Sequence, residues 1–124
     1  MDTREKIVPV ADLRRRMGAG EWLAAVGLFD PLTAAQAARL ADMQNGCGNL
    51  LAIVLDEPDT LLTADARAAL IAGLRGVRLV AVARTDEWKE ALAGLRVKIL
   101  DDGQAERIRS REFVEFVFAR QSSG

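Results

Sequence analysis

The stretch Trp22–Asn45, WLAAVGLFDPLTAAQAARLADMQN, places an aliphatic run, a short turn and a helical segment in immediate succession. The run Trp22–Val26 is apolar at successive positions, which is typical of a strand that is covered on both faces. Thr33 is a favoured N-cap residue, and the spacing predicts a helix from there to about Asn45, ended by Gly46. A buried strand that turns tightly into a helix is the repeating unit of a parallel α/β sheet.

The same alternation continues on both sides of this stretch. Further strands are predicted at Leu50–Leu55, Val77–Ala83 and Val97–Leu100, and further helices at 11–17, at 63–75 with Leu70, Ile71 and Leu74 as its apolar stripe, from Thr85 onward and at 110–121. This order predicts an α/β fold, a Rossmann-like three-layer sandwich with a mainly parallel sheet of about four to five strands. No linker rich in Gly, Pro or Ser divides the chain, so residues 1–124 are predicted to form a single domain.

Composition removes several functional classes. The chain has no histidine, which excludes histidine acid/base catalysis, triads built on it and the commonest zinc sites. Its one cysteine, Cys47, is predicted in a loop and has no internal disulfide partner. A formal charge of −1 gives no electrostatic footprint for nucleic acid or a membrane surface, so neither is expected as a partner. The charged N-terminus and reduced cysteine favour a cytoplasmic location.

The segment Ala25–Gln36, AVGLFDPLTAAQ, resembles the first-strand motif of the cytidylyltransferase-like nucleotidylyltransferases. In that family a Gly-x-Phe-Asp sequence precedes a His-x-Gly-His signature. The sugar-phosphate branch, which includes the adenylyltransferase domain of the heptose-biosynthesis bifunctional protein, is the most similar. The resemblance covers about the first two-thirds of the chain, including Leu51–Asp56, the helix that carries Arg67 at the family's arginine, and Val77–Val82.

The signature itself is degenerate in this chain. Thr33 and Gln36 stand where the family has its two histidines, and Ala35 replaces the glycine between them. Threonine and glutamine donate hydrogen bonds but carry no charge, and loss of one preorganised oxyanion donor costs about 10²–10³ in rate. The resemblance therefore implies a scaffold without its catalytic residues, and no catalytic residue is assigned.

Ligand contacts are expected at the carboxyl ends of the strands, where parallel α/β sheets bind ligands. The resemblance and this rule together select the following positions for contacts with a nucleotide or phosphate: Gly27, Phe29, Asp30, Thr33, Gln36 and Ser110. Gly27 alone is equally compatible with tight packing between strand and helix. No resident cofactor is predicted.

Carboxylates give weaker signals. Asp30 and Asp56 follow neighbouring strands, so they either form a two-carboxylate site or simply shape their loops, and the second reading is preferred. Asp101 and Asp102 would hold Mg²⁺ only in an active transferase and otherwise form a solvated turn.

Three functional hypotheses follow. The preferred one is a noncatalytic domain that regulates, assembles, or weakly binds a nucleotide or phosphorylated metabolite. The first alternative is an active nucleotidylyltransferase that uses Mg²⁺ and an arginine near the last helix (Arg107, Arg109 or Arg111). The second is a protein-interaction module without a small ligand.

Aromatic and basic clusters have ordinary structural readings. Phe113, Val114 and Val117 form a stripe on the last predicted helix, while Phe116 lies partly off it and would suit a homodimer contact, as family members self-associate. Trp22 and Trp88 are interpreted as core or interface aromatics and not as stacking platforms for a base. The basic run 14–16 is interpreted as a solvated helix face.

Overall fold

The computed structural model describes residues 3–101, with positions 46, 47 and 101 described through the backbone alone. Two 3-10 turns, Thr3–Lys6 and Val10–Asp12, precede the regular elements. In chain order, these elements are α1 (Leu13–Met17), β1 (Trp22–Gly27), α2 (Ala34–Cys47), β2 (Leu50–Leu55), α3 (Ala64–Ala72), β3 (Leu79–Ala83), α4 (Thr85–Leu92) and β4 (Val97–Asp101). The helix predicted at 110–121, with Ser110 and its phenylalanines, lies outside the described residues, as do Asp102, Arg107 and Arg109.

The four strands form one parallel sheet in the order β3-β2-β1-β4. Val26 of β1 is the register partner of Ile53 in β2 and of Asp101 in β4, so the strands end at a common level. The predicted α/β, Rossmann-like fold with a parallel sheet is confirmed. We call the end of the sheet where the strands finish its carboxyl end, and the opposite end its amino end.

The sheet is buried between two hydrophobic cores. The core on the α1 and α4 side contains Trp22 and Trp88, which are 5% and 3% exposed, so their prediction as core aromatics is confirmed. The other core, on the α2 and α3 side, contains Leu40, Ile71 and alternate residues of the same strands. Successive strand residues point to opposite faces, which explains why β1, β2 and β3 are apolar throughout, whereas the edge strand β4 contains Lys98 and leaves Ile99 and Leu100 exposed.

Several predicted boundaries are corrected. The second helix continues to Cys47, so this residue is helical and not in a loop. Gly48 ends the helix because its φ of 83° lies in the left-handed region that glycine adopts readily. The third helix stops at Ala72, not at residue 75, and β3 begins at Leu79.

Leu70 was predicted to belong to the apolar stripe of α3, and this is wrong. Its side chain is 51% exposed, whereas that of its neighbour Ile71 is fully buried. The inner face of α3 is formed by Arg67, Ala68, Ile71 and Ala72, and the helical spacing of about 100° per residue places Leu70 outside that face.

The N-terminal segment lies beside β3. Ile7 forms a parallel bridge with Val80, and the Val8 amide donates a hydrogen bond to the carbonyl of Val80 over 2.9 Å. This pairing covers part of the β3 side of the sheet and brings Lys6 to the amino end, where its ammonium donates to the carbonyl of Leu74. Within residues 3–101, no helix is long and apolar enough to cross a membrane.

Candidate functional site at the carboxyl end of the sheet

The loop 28–33 connects β1 to α2 and begins directly after Gly27, whose register partner in β2 is Val54. Phe29 adopts a φ of 52°, which is uncommon for a residue with a side chain. Its ring is 2% exposed and packs in the α2 and α3 core. The buried ring holds the loop in place.

Asp30 is bonded to the loop between β2 and α3. Its two carboxylate oxygens accept hydrogen bonds from the amides of Leu61, at 2.6 Å, and Leu62, at 2.8 Å. A carboxylate that accepts two backbone N–H groups organises a turn, because it satisfies donors that a loop otherwise leaves to water. Asp30 therefore connects the two loops that follow β1 and β2.

Arg67 of α3 lies beneath these loops and is 1% exposed. Its Nη1 donates to the carbonyl oxygens of Leu28, at 2.7 Å, and Leu55, at 2.8 Å. Its Nε donates to the carbonyl of Leu62 at 3.2 Å. One guanidinium thus joins the ends of β1 and β2 to the loop that Asp30 also binds.

The signature positions are occupied by a helix cap. Thr33 is the N-cap of α2, and its Oγ1 accepts the amide of Gln36 at 3.1 Å. The Oε1 of Gln36 accepts the amide of Thr33 at 3.0 Å, which completes a reciprocal capping box. Gln36 is 7% exposed, whereas Ala35 lies on the exposed surface of the first turn.

Acidic side chains dominate the loops at this end of the sheet. The loops 28–33 and 56–63 contribute Asp30, Asp56, Glu57 and Asp59. Asp56 is exposed, and its backbone amide donates to the carbonyl of Ala83. The predominance of carboxylates lowers the affinity of this end for an anion at neutral pH.

The start of α4 adds one ion pair to the same end. Nε of Arg84 lies 3.2 Å from Oε1 of Glu87, and the same oxygen accepts the Arg84 amide at 3.0 Å. The hydrogen bond from the Arg84 backbone has the largest effect on Glu87, and the one from the Arg84 side chain adds to it. Together they lower the pKa of Glu87 below its usual value. Arg84 is therefore matched by a carboxylate on its own helix.

The structure brings together most of the sequence-selected positions at one loop. Gly27, Phe29, Asp30, Thr33 and Gln36 all lie between the end of β1 and the first turn of α2. Sequence reasoning missed the amides of Leu61 and Leu62 as partners of Asp30. Backbone donors carry no residue-type signal, so no pattern in the sequence could have revealed them. In residues 3–101, no three or more His, Cys, Asp or Glu residues form a group that could hold a metal ion.

Comparison with known proteins places the fold but not the activity. No protein-family model matches the chain, and no curated protein matches it. Among solved structures, the chain is similar to the lipopolysaccharide core biosynthesis protein from Thermoplasma volcanium GSS1, with a TM-score of 0.56 and 16% sequence identity. The match covers 65% of this chain and 94% of that one. At this identity the likeness establishes a shared α/β architecture.

Proposed function

We propose that the chain is a noncatalytic domain of nucleotidylyltransferase ancestry, with a role in regulation, assembly or weak binding of a nucleotide or phosphorylated metabolite. The observation that carries the proposal is the capping box at Thr33 and Gln36. Both side chains bind the backbone of their own helix at the two positions where the resembling family has phosphate-binding histidines. The residues serve the fold there, and neither supplies positive charge.

The charges around the loop support the same conclusion. Transfer of a nucleotidyl group requires positive groups that stabilise the charge developing on phosphate oxygens. Arg67 is enclosed by three carbonyl oxygens, and Arg84 is paired with Glu87. Neither arginine is available to a phosphate at this loop, and the nearby loops are acidic.

The fold still allows weak binding of an anion at the start of α2. The amides of Ala34 and Ala35 begin α2 at its exposed N-terminus, where a helix favours an anion. The resembling branch acts on sugar phosphates, and the solved structure of similar fold is described as a lipopolysaccharide core biosynthesis protein. Both favour a sugar phosphate or nucleotide as the metabolite.

A pyrophosphate-release assay tests the noncatalytic part. With CTP or ATP, a sugar phosphate and Mg²⁺, we expect no release of pyrophosphate above the uncatalysed rate, because positions 33 and 36 supply no positive charge to stabilise the phosphate oxygens. Turnover on the order of 1 s⁻¹ or faster would overturn the proposal. If such turnover were lost in Arg109→Gln but retained in Arg4→Gln, the active-transferase alternative would replace it.

Restoring the signature tests the reason for the inactivity. The triple variant Thr33→His, Ala35→Gly, Gln36→His reinstates the family's pattern, and Ala38→His adds a histidine elsewhere on α2 as the control. Isothermal titration with CTP and ATP should show tighter binding to the triple variant than to either the unmodified chain or the control. Equal affinity for all three would show that the signature positions do not face a nucleotide.

The interaction-module alternative is favoured by one observation. Leu61 is 83% exposed, although it lies in the turn that Asp30 holds in place. An apolar side chain that is fixed and exposed suits a protein contact. Sedimentation of the unmodified chain and of Leu61→Ser distinguishes this role: a dimer that persists on dilution and dissociates in the variant would support it, and a monomer in both would exclude self-association through this turn.

A further inference from the structure

A cavity of about 500 Å³ opens at the amino end of the sheet, opposite the loop discussed above. Its walls come from the first 3-10 turn, from α1, and from the connection between α3 and β3. The polar lining residues are Thr3, Glu5, Lys6, Arg16, Arg75 and Arg78. Small-molecule sites in proteins occupy roughly 300–1,000 Å³, so the volume is suitable for a metabolite-sized ligand.

The lining carries an excess of positive charge. Among the lining residues that the structure describes, Lys6, Arg16, Arg75 and Arg78 accompany one carboxylate, that of Glu5. The whole chain has a formal charge of −1, so this concentration is not a consequence of a basic composition. Cations gathered around a concave surface repel one another, and an anion relieves that repulsion when it binds.

Two of these cations are held in position by the protein. The ammonium of Lys6 donates to the carbonyl of Leu74 at 3.0 Å. Nη1 of Arg78 donates to Oδ1 of Asn49, and the guanidinium lies 5.7 Å from the centre of the Trp22 ring. An arginine fixed by stacking and a hydrogen bond loses less conformational entropy when it binds a ligand.

The other two cations, Arg16 and Arg75, have N–H donors that are available to a ligand. Arg16 and Arg75 are exposed and make no hydrogen bond or ion pair with another described residue. Each guanidinium presents five N–H groups in a planar fork that matches phosphate oxygens. A surface arginine without a carboxylate partner is common, but two that line one cavity with a third already oriented form a set of donors.

The carboxyl terminus of α3 explains only part of this arrangement. Gly73 and Leu74 follow the last turn of α3, whose dipole favours a cation, although the carbonyls of Ala69, Leu70 and Ile71 already accept backbone amides of these two residues. Lys6 satisfies that requirement through its hydrogen bond to Leu74. The three arginines exceed what the helix end needs.

We propose that this cavity binds a small anion with more than one phosphate group, through the guanidinium groups of Arg16, Arg75 and Arg78. The site is separate from the loop after β1 and does not depend on the function proposed for that loop. Diphosphate, free or as part of a nucleotide, supplies enough acceptor oxygens for the three guanidinium groups.

Titration with inorganic pyrophosphate in a Trp88→Phe background tests the proposal. The chain has two tryptophans. Nε1 of Trp88 is buried and has no hydrogen-bond partner in the described part of the chain, so phenylalanine removes no hydrogen bond there. The remaining indole, Trp22, lies beneath Arg78. We expect saturable quenching or enhancement of its fluorescence by pyrophosphate at micromolar to millimolar concentration.

A matched pair of substitutions separates a site from general charge attraction. Arg75→Gln removes a cation that lines the cavity, whereas Arg96→Gln removes an exposed cation at the same end of the sheet, outside the lining. We expect pyrophosphate affinity to fall about tenfold in Arg75→Gln and to stay within about twofold in Arg96→Gln, since a charge-assisted hydrogen bond is lost only in the first. Arg16→Gln should behave like Arg75→Gln.

Three results would each overturn the proposal. These are the absence of saturable binding, an equal loss of affinity in Arg75→Gln and Arg96→Gln, and an affinity that depends on Thr33 but not on Arg75. Sedimentation adds a fourth: self-association that Arg75→Gln abolishes and pyrophosphate does not affect would identify a second copy as the occupant.

ATP, titrated in the same series, distinguishes a nucleotide from free pyrophosphate. Tighter binding of ATP assigns the site to a nucleotide, and tighter binding of pyrophosphate assigns it to the free anion.

Discussion

The two ends of the sheet have opposite character. At the carboxyl end, Asp30, Thr33, Gln36 and Arg67 direct their hydrogen bonds into the protein, and the loops carry carboxylates. At the amino end, basic side chains surround a cavity, and Arg75 among them has no partner in residues 3–101.

The difference concerns what each set of side chains is able to bind. Arg67, which satisfies the buried carbonyl of Leu55, cannot leave it for a ligand without leaving that carbonyl unpaired, at a cost of about 1–3 kcal/mol. An exposed guanidinium exchanges only water when it binds an anion. Polar residues at the customary binding end of an α/β sheet can therefore act as structural supports, while the opposite end has the freer donors.

The largest effect is expected from Arg67→Met. The substitution preserves much of the side-chain volume but leaves the carbonyls of Leu28, Leu55 and Leu62 without their donor. We expect a loss of about 3 kcal/mol in the free energy of unfolding, measured by urea denaturation. Arg75→Met, at the other end of the sheet, is the control and should change stability by less than about 0.5 kcal/mol. Equal stability of the two variants would mean that Arg67 is not a structural support.

A smaller effect is expected from Asp30→Ala. Loss of the carboxylate leaves the amides of Leu61 and Leu62 to water, with a destabilisation of about 1–2 kcal/mol. Faster hydrogen exchange at these two amides is the direct measurement. Asp56→Ala, which removes an exposed carboxylate from the adjacent loop, should leave their exchange unchanged. Unchanged exchange in Asp30→Ala would contradict the connection between the loops.

The capping box gives the next effect. Thr33→Ala removes the acceptor of the Gln36 amide, and N-cap losses of this kind cost about 1 kcal/mol. Thr33→Ser keeps the hydroxyl and should retain most of that stability. Thermal unfolding of the two variants measures the difference. Equal thermal stability of Thr33→Ala and Thr33→Ser would show that the Thr33 hydroxyl does not cap the helix and is free for another partner.

The smallest effect concerns Glu87 and is dependent on pH. Since folding lowers the pKa of Glu87, its stabilisation is present above the unfolded pKa, near 4.5, and is lost as the pH falls through the folded value. Glu87→Gln should therefore be less stable than the unmodified chain at pH 7, and the gap should narrow by pH 3. Urea denaturation at both pH values measures it. A gap of constant size would contradict the role of the carboxylate charge.

Particular residues show why some features were predictable. The aliphatic runs predicted all four described strands. Burial on both faces makes β1, β2 and β3 apolar throughout, whereas β4 lies at an edge of the sheet and contains Lys98. The end of α2 was misplaced, since either Gly46 or Gly48 can end a helix and the choice depends on which adopts the left-handed conformation. Leu70 was misassigned because the buried face of α3 is centred on Arg67, Ala68, Ile71 and Ala72, and Leu70 lies on the other side of the helix.

Some features of the candidate site were likewise predictable from the sequence, and others were not. Thr33 was predictable as a cap from its residue type and its position before an apolar helix, and Arg67 was noticed through the family resemblance. Arg67 bonds the carbonyls of Leu55 and Leu62 close to it in the chain but also that of Leu28, which is 39 residues away, and the basic cavity combines positions 3–6, 16 and 73–78. Such combinations leave no local pattern.

The sequence by itself determined the alternation of strands and helices, the absence of histidine chemistry and the uncharged residues at positions 33 and 36, because these depend on residue type and local spacing. Only the tertiary structure decided which polar groups are already satisfied and which are free. That depends on which segments meet at each end of the sheet, and parallel strands bring together residues that the chain separates by dozens of positions.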